Sequence, residues 1–129
     1  MKLGYVILYV PDVPAAVAFY ESAFGLKRRF VHESLQYAEM ETGATALAFV
    51  DETFVSASVP AFARNRLNNP PAGIEVGLVC DDVGAAYQVA LNAGATAQMA
   101  PVQKPWGQTV AYVRDLNGCL VELCSSMGG

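Results

Sequence analysis

Apolar positions along the first fifty residues predict one strand, one helix and three further strands. Residues 5–10 are β-branched or aromatic and end at Pro11-Asp12, which is typical of a strand followed by a helix with Asp12 as its N-cap. Apolar residues then recur at helical spacing over 15–24, until Gly25 supplies a left-handed C-terminal stop. The strands that follow are predicted at residues 27–33, 36–41 and 45–51.

The second half of the chain repeats this plan. Identical residues recur at the same spacing around the predicted helix start, in the pairs Leu8/Leu78, Asp12/Asp82, Val13/Val83, Ala15/Ala85 and Ala16/Ala86. The second copy comprises a strand at 74–80, a helix from about Val83 to Asn92 that ends near Gly94, and strands at 96–100, 109–114 and 119–124. Because the period exceeds the 20–50 residues of solenoid repeats, we expect two half-domains of βαβββ order.

The length of 129 residues suits one hydrophobic core and is too short for two independent ones. We therefore expect a single domain over 1–129, with one module at about 3–51, a linker at 52–73 and a second module at about 74–124. The linker is predicted to carry one helical turn around Phe62 to Leu67.

Composition narrows the function classes. Apolar residues make up 53% and charged residues 16%, which favours an additional buried surface, such as a homodimer interface. A net charge of −4 with eight Lys and Arg argues against nucleic-acid binding. The apolar stretches are too short for a membrane span and the N-terminus lacks a signal-peptide core, so a cytoplasmic protein is expected. Three cysteines without CxxC spacing indicate reduced thiols.

Two stretches resemble a known family. They are Phe19-Tyr20 followed by Phe24-Gly25-Leu26, and Trp106-Gly107-Gln108 followed by residues 112–123, whose Asp115-Leu116-Asn117-Gly118 turn leads into Glu122-Leu123. This pattern resembles the vicinal oxygen chelate superfamily, which includes glyoxalase I, bleomycin-resistance proteins, fosfomycin-resistance enzymes and extradiol dioxygenases. The resemblance implies an α+β fold in which two βαβββ modules form a curved, mixed, mostly antiparallel sheet with the ligand on its concave side.

The resemblance also implies four metal-ligand positions, on the first and last strands of each module. In this sequence they are occupied by Tyr5, Ala48 or Leu47, Glu75 and Glu122. Family members that use a metal place His or Gln on the first strands, because imidazole and carboxylate together hold first-row metals well. The only histidine here, His32, falls on the second strand and is interpreted as structural. No metal cofactor is therefore expected, and Glu75 and Glu122 are the weak candidates should a divalent metal bind.

Side-chain alternation along the strands also places Glu75 and Glu122 on one face of the sheet, independently of the family resemblance. If Val121 and Leu123 face the core, Glu122 shares the opposite face with Glu75. Two carboxylates on one face raise each other's pKa, so they need a cation, a polar ligand or hydrogen-bonding partners. The partners considered are the Tyr5 hydroxyl, Lys104 and Arg114.

The loop from Lys104 to Gln108 contains the only tryptophan, Trp106, between a proline and a glycine. Loops on rigid scaffolds often carry binding groups, so Trp106 is favoured as a pocket wall over packing at a dimer interface. The predicted ligand-binding residues are Tyr5, Glu75, Lys104, Trp106, Arg114 and Glu122.

Three functions remain open. The first is a small-molecule-binding protein with a degenerate metal site, which holds its ligand in the concave cup. The second is a divalent-metal-dependent lyase, isomerase or dioxygenase that acts on a substrate with vicinal oxygens through Glu75 and Glu122. The third is a structural dimer whose cup is vestigial. No catalytic residue is assigned, because nucleophile-elbow, P-loop and HExxH motifs are absent from the sequence.

Overall fold

The computed structural model describes residues 1–127. The chain divides into two compact units, one from Met1 to Arg64 and one that begins at Asn65. Each unit contains one four-stranded sheet and is described by itself.

The first unit has βαβββ order followed by a short helix. Its elements are β1 (Tyr5–Val10), α1 (Val13–Phe24), β2 (Lys27–Val31), β3 (Tyr37–Glu41), β4 (Ala46–Asp51) and α2 (Glu52–Val55). The sheet order is β1-β4-β3-β2, in which β1 and β4 are parallel and the other pairs are antiparallel.

Local sequence explains where α1 begins and ends. The Asp12 carboxylate accepts the backbone N–H of Ala15 at 3.0 Å, which satisfies one of the free donors of the first turn. Gly25 ends the helix with φ 65°, a conformation that suits glycine. The buried face of α1 includes Tyr20, whose ring lies 5.0 Å from that of Phe49 on β4. The core of this unit therefore lies between α1 and one face of its sheet.

The second unit repeats the same order. Its elements are β5 (Glu75–Val79), α3 (Val83–Asn92), β6 (Thr96–Gln103), β7 (Thr109–Arg114) and β8 (Leu120–Cys124), with the sheet order β5-β8-β7-β6. Asp82 caps α3 as Asp12 caps α1, because its carboxylate accepts the N–H of Ala85 at 3.0 Å. The residues of β7 and β8 that pack toward α3 are fully or almost fully buried, namely Ala111, Val113, Val121 and Leu123.

These observations confirm the predicted fold class, an α+β fold built from two βαβββ modules whose strands are mostly antiparallel. The helical turn predicted at 62–67 is wrong, because the short helix lies at Glu52–Val55. Asp51 initiates it by accepting the N–H groups of Thr53 and Phe54. Strand β6 is also longer than predicted and reaches Gln103, with two irregularities in its pairing with β7. Within residues 1–127, the helices are all too short or too polar to span a membrane.

Candidate functional site

The candidate site lies on the face of the second sheet opposite α3. On β5, Glu75, Gly77 and Val79 alternate onto this exposed face. The register pairs Gly77 with Glu122 on β8, and pairs Glu122 with Tyr112 on β7. The sheet therefore places the predicted carboxylates on one face, as strand alternation requires.

Tyr112 and Glu122 form the centre of this cluster. The Tyr112 hydroxyl donates to Oε1 of Glu122 at 2.8 Å, and both side chains are half-buried. This hydrogen bond to the carboxylate, followed by burial, raises the pKa of Tyr112 to about 12. Tyr112 therefore remains a neutral hydrogen-bond donor throughout the physiological pH range.

Glu75 completes the cluster, which we call the Glu75–Tyr112–Glu122 cluster. The pKa of Glu75 is raised above its ordinary value by loss of hydration, then by the charge of Glu122 and a hydrogen bond with it, while a hydrogen bond with Tyr112 acts in the opposite direction. Glu75 remains largely exposed on its strand, so a ligand can reach it from solvent. The two carboxyl groups thus lie close enough to share a proton or a cation.

Cys124 borders the cluster on the same face of β8. Its thiol is buried, and burial together with a hydrogen bond to Glu122 raises its pKa to about 11. Because the thiolate is the nucleophilic form, Cys124 is an unreactive thiol at neutral pH.

Gly77 leaves space beside the cluster. A Cβ atom built at Gly77 would lie 4.0 Å from Oε2 of Glu122, with no closer contact. The corresponding position in the first unit is Ile7, which pairs with Ala48 as Gly77 pairs with Glu122. The missing side chain therefore keeps the Glu122 carboxyl accessible from β5.

Trp106 lies in the turn between β6 and β7 and is 62% exposed. Its indole N–H donates to Oε1 of Gln108 at 3.0 Å. The backbone N–H of Lys104 donates to the Gln108 carbonyl at 2.7 Å, which closes the turn. The predicted contact of these loop residues with a ligand stays a prediction.

Arg114 binds backbone carbonyls. Its guanidinium donates to the carbonyl oxygens of Gly118, Arg66, Leu67 and Asn69, at distances of 3.0, 3.2, 3.0 and 2.6 Å. These bonds attach the segment 66–69 to the β7–β8 turn. The hydroxyl partner of Glu122 is Tyr112, which is not among the partners predicted from the sequence.

The first unit carries a different set of side chains at the matching positions. Tyr5 corresponds to Glu75 by register and is 57% exposed, and Ala48 corresponds to Glu122, which settles the choice between Ala48 and Leu47. Glu39 on β3 is buried and accepts hydrogen bonds from Tyr37 at 2.8 Å and from Arg29 at 3.2 Å. The acidic group of this unit is therefore already satisfied by its neighbours.

The donor set does not fit a tightly bound transition metal. Tyr5 and Ala48 replace imidazole or carboxylate ligands at two of the four positions that the family resemblance implies. Among residues 1–127, no cluster of three or more His, Cys, Asp or Glu side chains is arranged to hold a metal ion. Glu75 and Glu122 alone offer oxygen donors, which suit hard cations but bind them weakly without further ligands.

Comparisons with known proteins agree with this fold. Residues 2–123 match the family model of the Glyoxalase/Bleomycin resistance protein/Dioxygenase superfamily. The chain belongs to this superfamily.

Individual relatives are distant in sequence. The chain is 23% identical over 124 residues to the uncharacterized protein YraH of Bacillus subtilis strain 168, covering 95% of this chain and 97% of that protein. A crystal structure of a glyoxalase-related enzyme from Fulvimarina pelagi superposes with a TM-score of 0.83 at 18% identity, covering 98% of this chain and 88% of that one. A family enzyme from Burkholderia phytofirmans PsJN gives a TM-score of 0.77 at 21% identity, covering 97% and 98%. At these identities the likeness establishes the fold.

Proposed function

We propose that this protein binds a small organic cation without a metal, through Glu75 and Glu122 on the exposed face of the second sheet. The observation that carries the proposal is the Glu75–Tyr112–Glu122 cluster, in which two neighbouring carboxyl groups share a single phenolic hydroxyl donor. Two such groups repel each other when both are ionised, and a bound cation relieves that repulsion. Charge complementarity therefore selects an ammonium or guanidinium group.

The position of the cluster supports the same ligand class. Tyr112 holds one oxygen of Glu122, while Gly77 leaves the side of Oε2 open. Glu75 is exposed, so a ligand can bridge the two carboxyls from solvent. A small cation with several N–H donors can bond to both groups at once, as the charge-assisted bonds of ammonium and guanidinium groups do.

Proton release accompanies this binding. Because the pKa of Glu75 is raised, its carboxyl group holds a proton more tightly than an ordinary glutamate does, and a cation binds the ionised form more strongly. Affinity for the cation should therefore rise with pH and level off above the pKa of Glu75.

The experiment is a thermal-shift and calorimetric titration of the chelator-treated protein. The probe is 4-phenylbutylammonium, accompanied by a panel of quaternary ammonium and guanidinium compounds, and 4-phenylbutan-1-ol is the neutral comparison of the same shape. The proposal expects stabilisation by the cations and not by the alcohol, since a ligand that binds only the folded state raises its stability.

Two double variants identify the site. Glu75→Gln/Glu122→Gln should abolish the stabilisation while the protein stays folded. Glu33→Gln/Asp81→Asn removes the same number of negative charges from exposed positions elsewhere and should keep it. If the cations stabilise neither wild type nor control, or stabilise the Glu75→Gln/Glu122→Gln variant equally, the proposal fails.

The alternative function, a metal-dependent lyase, isomerase or dioxygenase, predicts a different result in the same titrations. Mg²⁺ or Mn²⁺ added in place of the organic cations would then stabilise the wild type strongly, and the Glu75→Gln/Glu122→Gln variant would lose that effect. Such a result would replace the binding proposal with a metal site completed by water or substrate oxygens.

A further inference from the structure

The indole of Trp106 is held in place although it is largely exposed. Its Nε1–H donates to Oε1 of Gln108 at 3.0 Å, and Nε2 of Gln108 donates to the Ser125 carbonyl at 2.9 Å. The Ser125 hydroxyl in turn accepts the backbone N–H of Thr109 at 2.9 Å. A chain of hydrogen bonds therefore links the loop tryptophan to the residue that follows β8.

Core packing does not explain why the Trp106 indole is held in place. Trp106 keeps 62% of its surface in water, so it buries little apolar area, whereas immobilising a side chain costs conformational entropy. The turn itself is already closed by backbone bonds, from Lys104 N–H to the Gln108 carbonyl at 2.7 Å and from Gly107 N–H to the Lys104 carbonyl at 2.8 Å. The Gln108 side chain thus adds fixation of the indole beyond what the turn requires.

The anchor point relates the tryptophan to the carboxylates. Ser125 lies three residues beyond Glu122, which corresponds to roughly 10 Å along an extended chain. Val79, 67% exposed, pairs with Cys124 in the interval between them. The residue that anchors the Trp106–Gln108 pair therefore lies close to Glu122 along the chain, and the exposed apolar Val79 pairs with the residue just before it.

We propose that Gln108 is a positioning residue, which presents Trp106 as a preformed wall for the aromatic ring of an aryl-alkyl ammonium ligand. This inference rests on the proposed function, in which Glu75 and Glu122 hold the cationic end. An indole face that is fixed before binding costs less entropy to use in stacking than one that must be ordered by the ligand. The aromatic end of the ligand is therefore selected at the loop, and its charge at the carboxylates.

The test compares two probes of equal charge and similar length, 4-phenylbutylammonium and 4-cyclohexylbutylammonium. In Gln108→Met, which keeps the length of the side chain but removes both hydrogen bonds, affinity for the phenyl probe should fall about three- to tenfold, the range expected from loss of an aromatic pair. Affinity for the cyclohexyl probe should change less than twofold. Gln98→Leu, at another exposed glutamine in the second unit, is the control and should leave both affinities unchanged.

Fluorescence reports the indole directly, because Trp106 is the only tryptophan of the chain. In Gln108→Met the anisotropy should drop and quenching by acrylamide should increase, without any loss of folded protein by circular dichroism. In a Trp106→Ala background, Gln108→Met should cause no further loss of affinity, since the two residues act through one contact.

Distinct outcomes separate the two proposals. If wild type binds neither probe, the proposed function is wrong and the role of Gln108 falls with it. Suppose instead that wild type binds both probes. If Gln108→Met then lowers the affinity for both probes equally, lowers neither affinity, or leaves the indole as immobile as before, the proposed role of Gln108 is wrong and the carboxylate site stands.

Discussion

Tyr112 and Glu122 are direct cross-strand partners, and the phenolic hydroxyl of one donates to the carboxylate of the other at 2.8 Å. The first unit contains a bond of the same kind and length, between Tyr37 and Glu39. Glu39 also accepts a hydrogen bond from the Arg29 guanidinium at 3.2 Å. The neighbour of Glu122 is instead a second carboxyl group, that of Glu75. Glu39 therefore has a cationic partner within its unit, whereas Glu122 has only a hydroxyl donor and a second acidic group beside it.

Removing the hydroxyl in Tyr112→Phe should lower the free energy of unfolding by about 1 kcal/mol at neutral pH, the usual net value of one hydrogen bond. Urea denaturation measures this change in the free energy of unfolding.

Tyr112 and Tyr37 both have a pKa of about 12 in the folded protein, against 10.0 for a free phenol. Their contribution to stability is complete below pH 10 and is lost as the pH rises from 10 to 12. In an ultraviolet titration of folded protein, Tyr112→Phe should remove one late-titrating phenol, and an unchanged titration would contradict the assignment.

Glu75→Gln should change how stability depends on pH. Because the folded pKa of Glu75 is raised, the folded state holds its proton more tightly than the unfolded state. The contribution of Glu75 is therefore present below its unfolded pKa, near 4.5, and is lost as the pH rises through the folded pKa. Relative to wild type, the glutamine variant should therefore gain stability as the pH rises from 4.5 through the folded pKa of Glu75. Denaturation series at several pH values test this, and parallel curves would exclude a shifted Glu75.

Gly118→Ala should be among the most damaging single changes in the second unit. Gly118 has φ +92°, and an added Cβ would lie 2.6 Å from the carbonyl oxygen of Arg66 and from the Arg114 guanidinium. Strain of this kind together with a backbone clash should cost roughly 3 kcal/mol in unfolding free energy. Gly77→Ala is the matched control, because its Cβ would meet nothing closer than 4.0 Å. Equal effects of the two substitutions would contradict this account of the segment 66–69.

A homodimer, expected from the apolar composition, remains a prediction. Strand β1 is an edge of the sheet in its own unit, and it carries the exposed apolar residues Tyr5 and Ile7. Exposed edges and apolar surface of this kind are commonly covered by another chain. Light scattering at micromolar concentration should therefore give twice the mass of one chain, and a concentration-independent monomer would contradict the prediction.

Local signals were sufficient to predict most of the fold. Asp12 and Asp82 mark helix starts because a carboxylate cap acts through its own backbone neighbours, and both caps are present as predicted. The sequence predicts the short helix at the wrong place because Asp51 both ends β4 and caps the helix that follows it. Side-chain alternation was likewise enough to place Val121 and Leu123 in the core and Glu122 on the opposite face.

The partners within the site depend on register and could not be predicted from alternation alone. The pairing of Tyr112 with Glu122 follows from the length of the turn at 115–118, which determines which β7 residue lies opposite each β8 residue. The sequence predicts Arg114 as a ligand-binding residue and a partner for the two carboxylates, but its bonds to the carbonyls of residues 66, 67 and 69 depend on contacts between distant parts of the chain. Neither relationship has a short sequence signature.

The contrast between the carboxylates of Glu39 and Glu122 has a consequence for how the two copies can diverge. In the first copy, Arg29 and Tyr37 already use the acidic group, so a substitution there would damage the structure that supports it. In the second copy, Gly77 and Glu75 lie at the surface, and changing them alters what can approach the sheet more than how it folds. Substitutions at Glu75 and Gly77 should therefore change what binds the second sheet while leaving its fold intact, whereas a substitution at Glu39 should reduce stability.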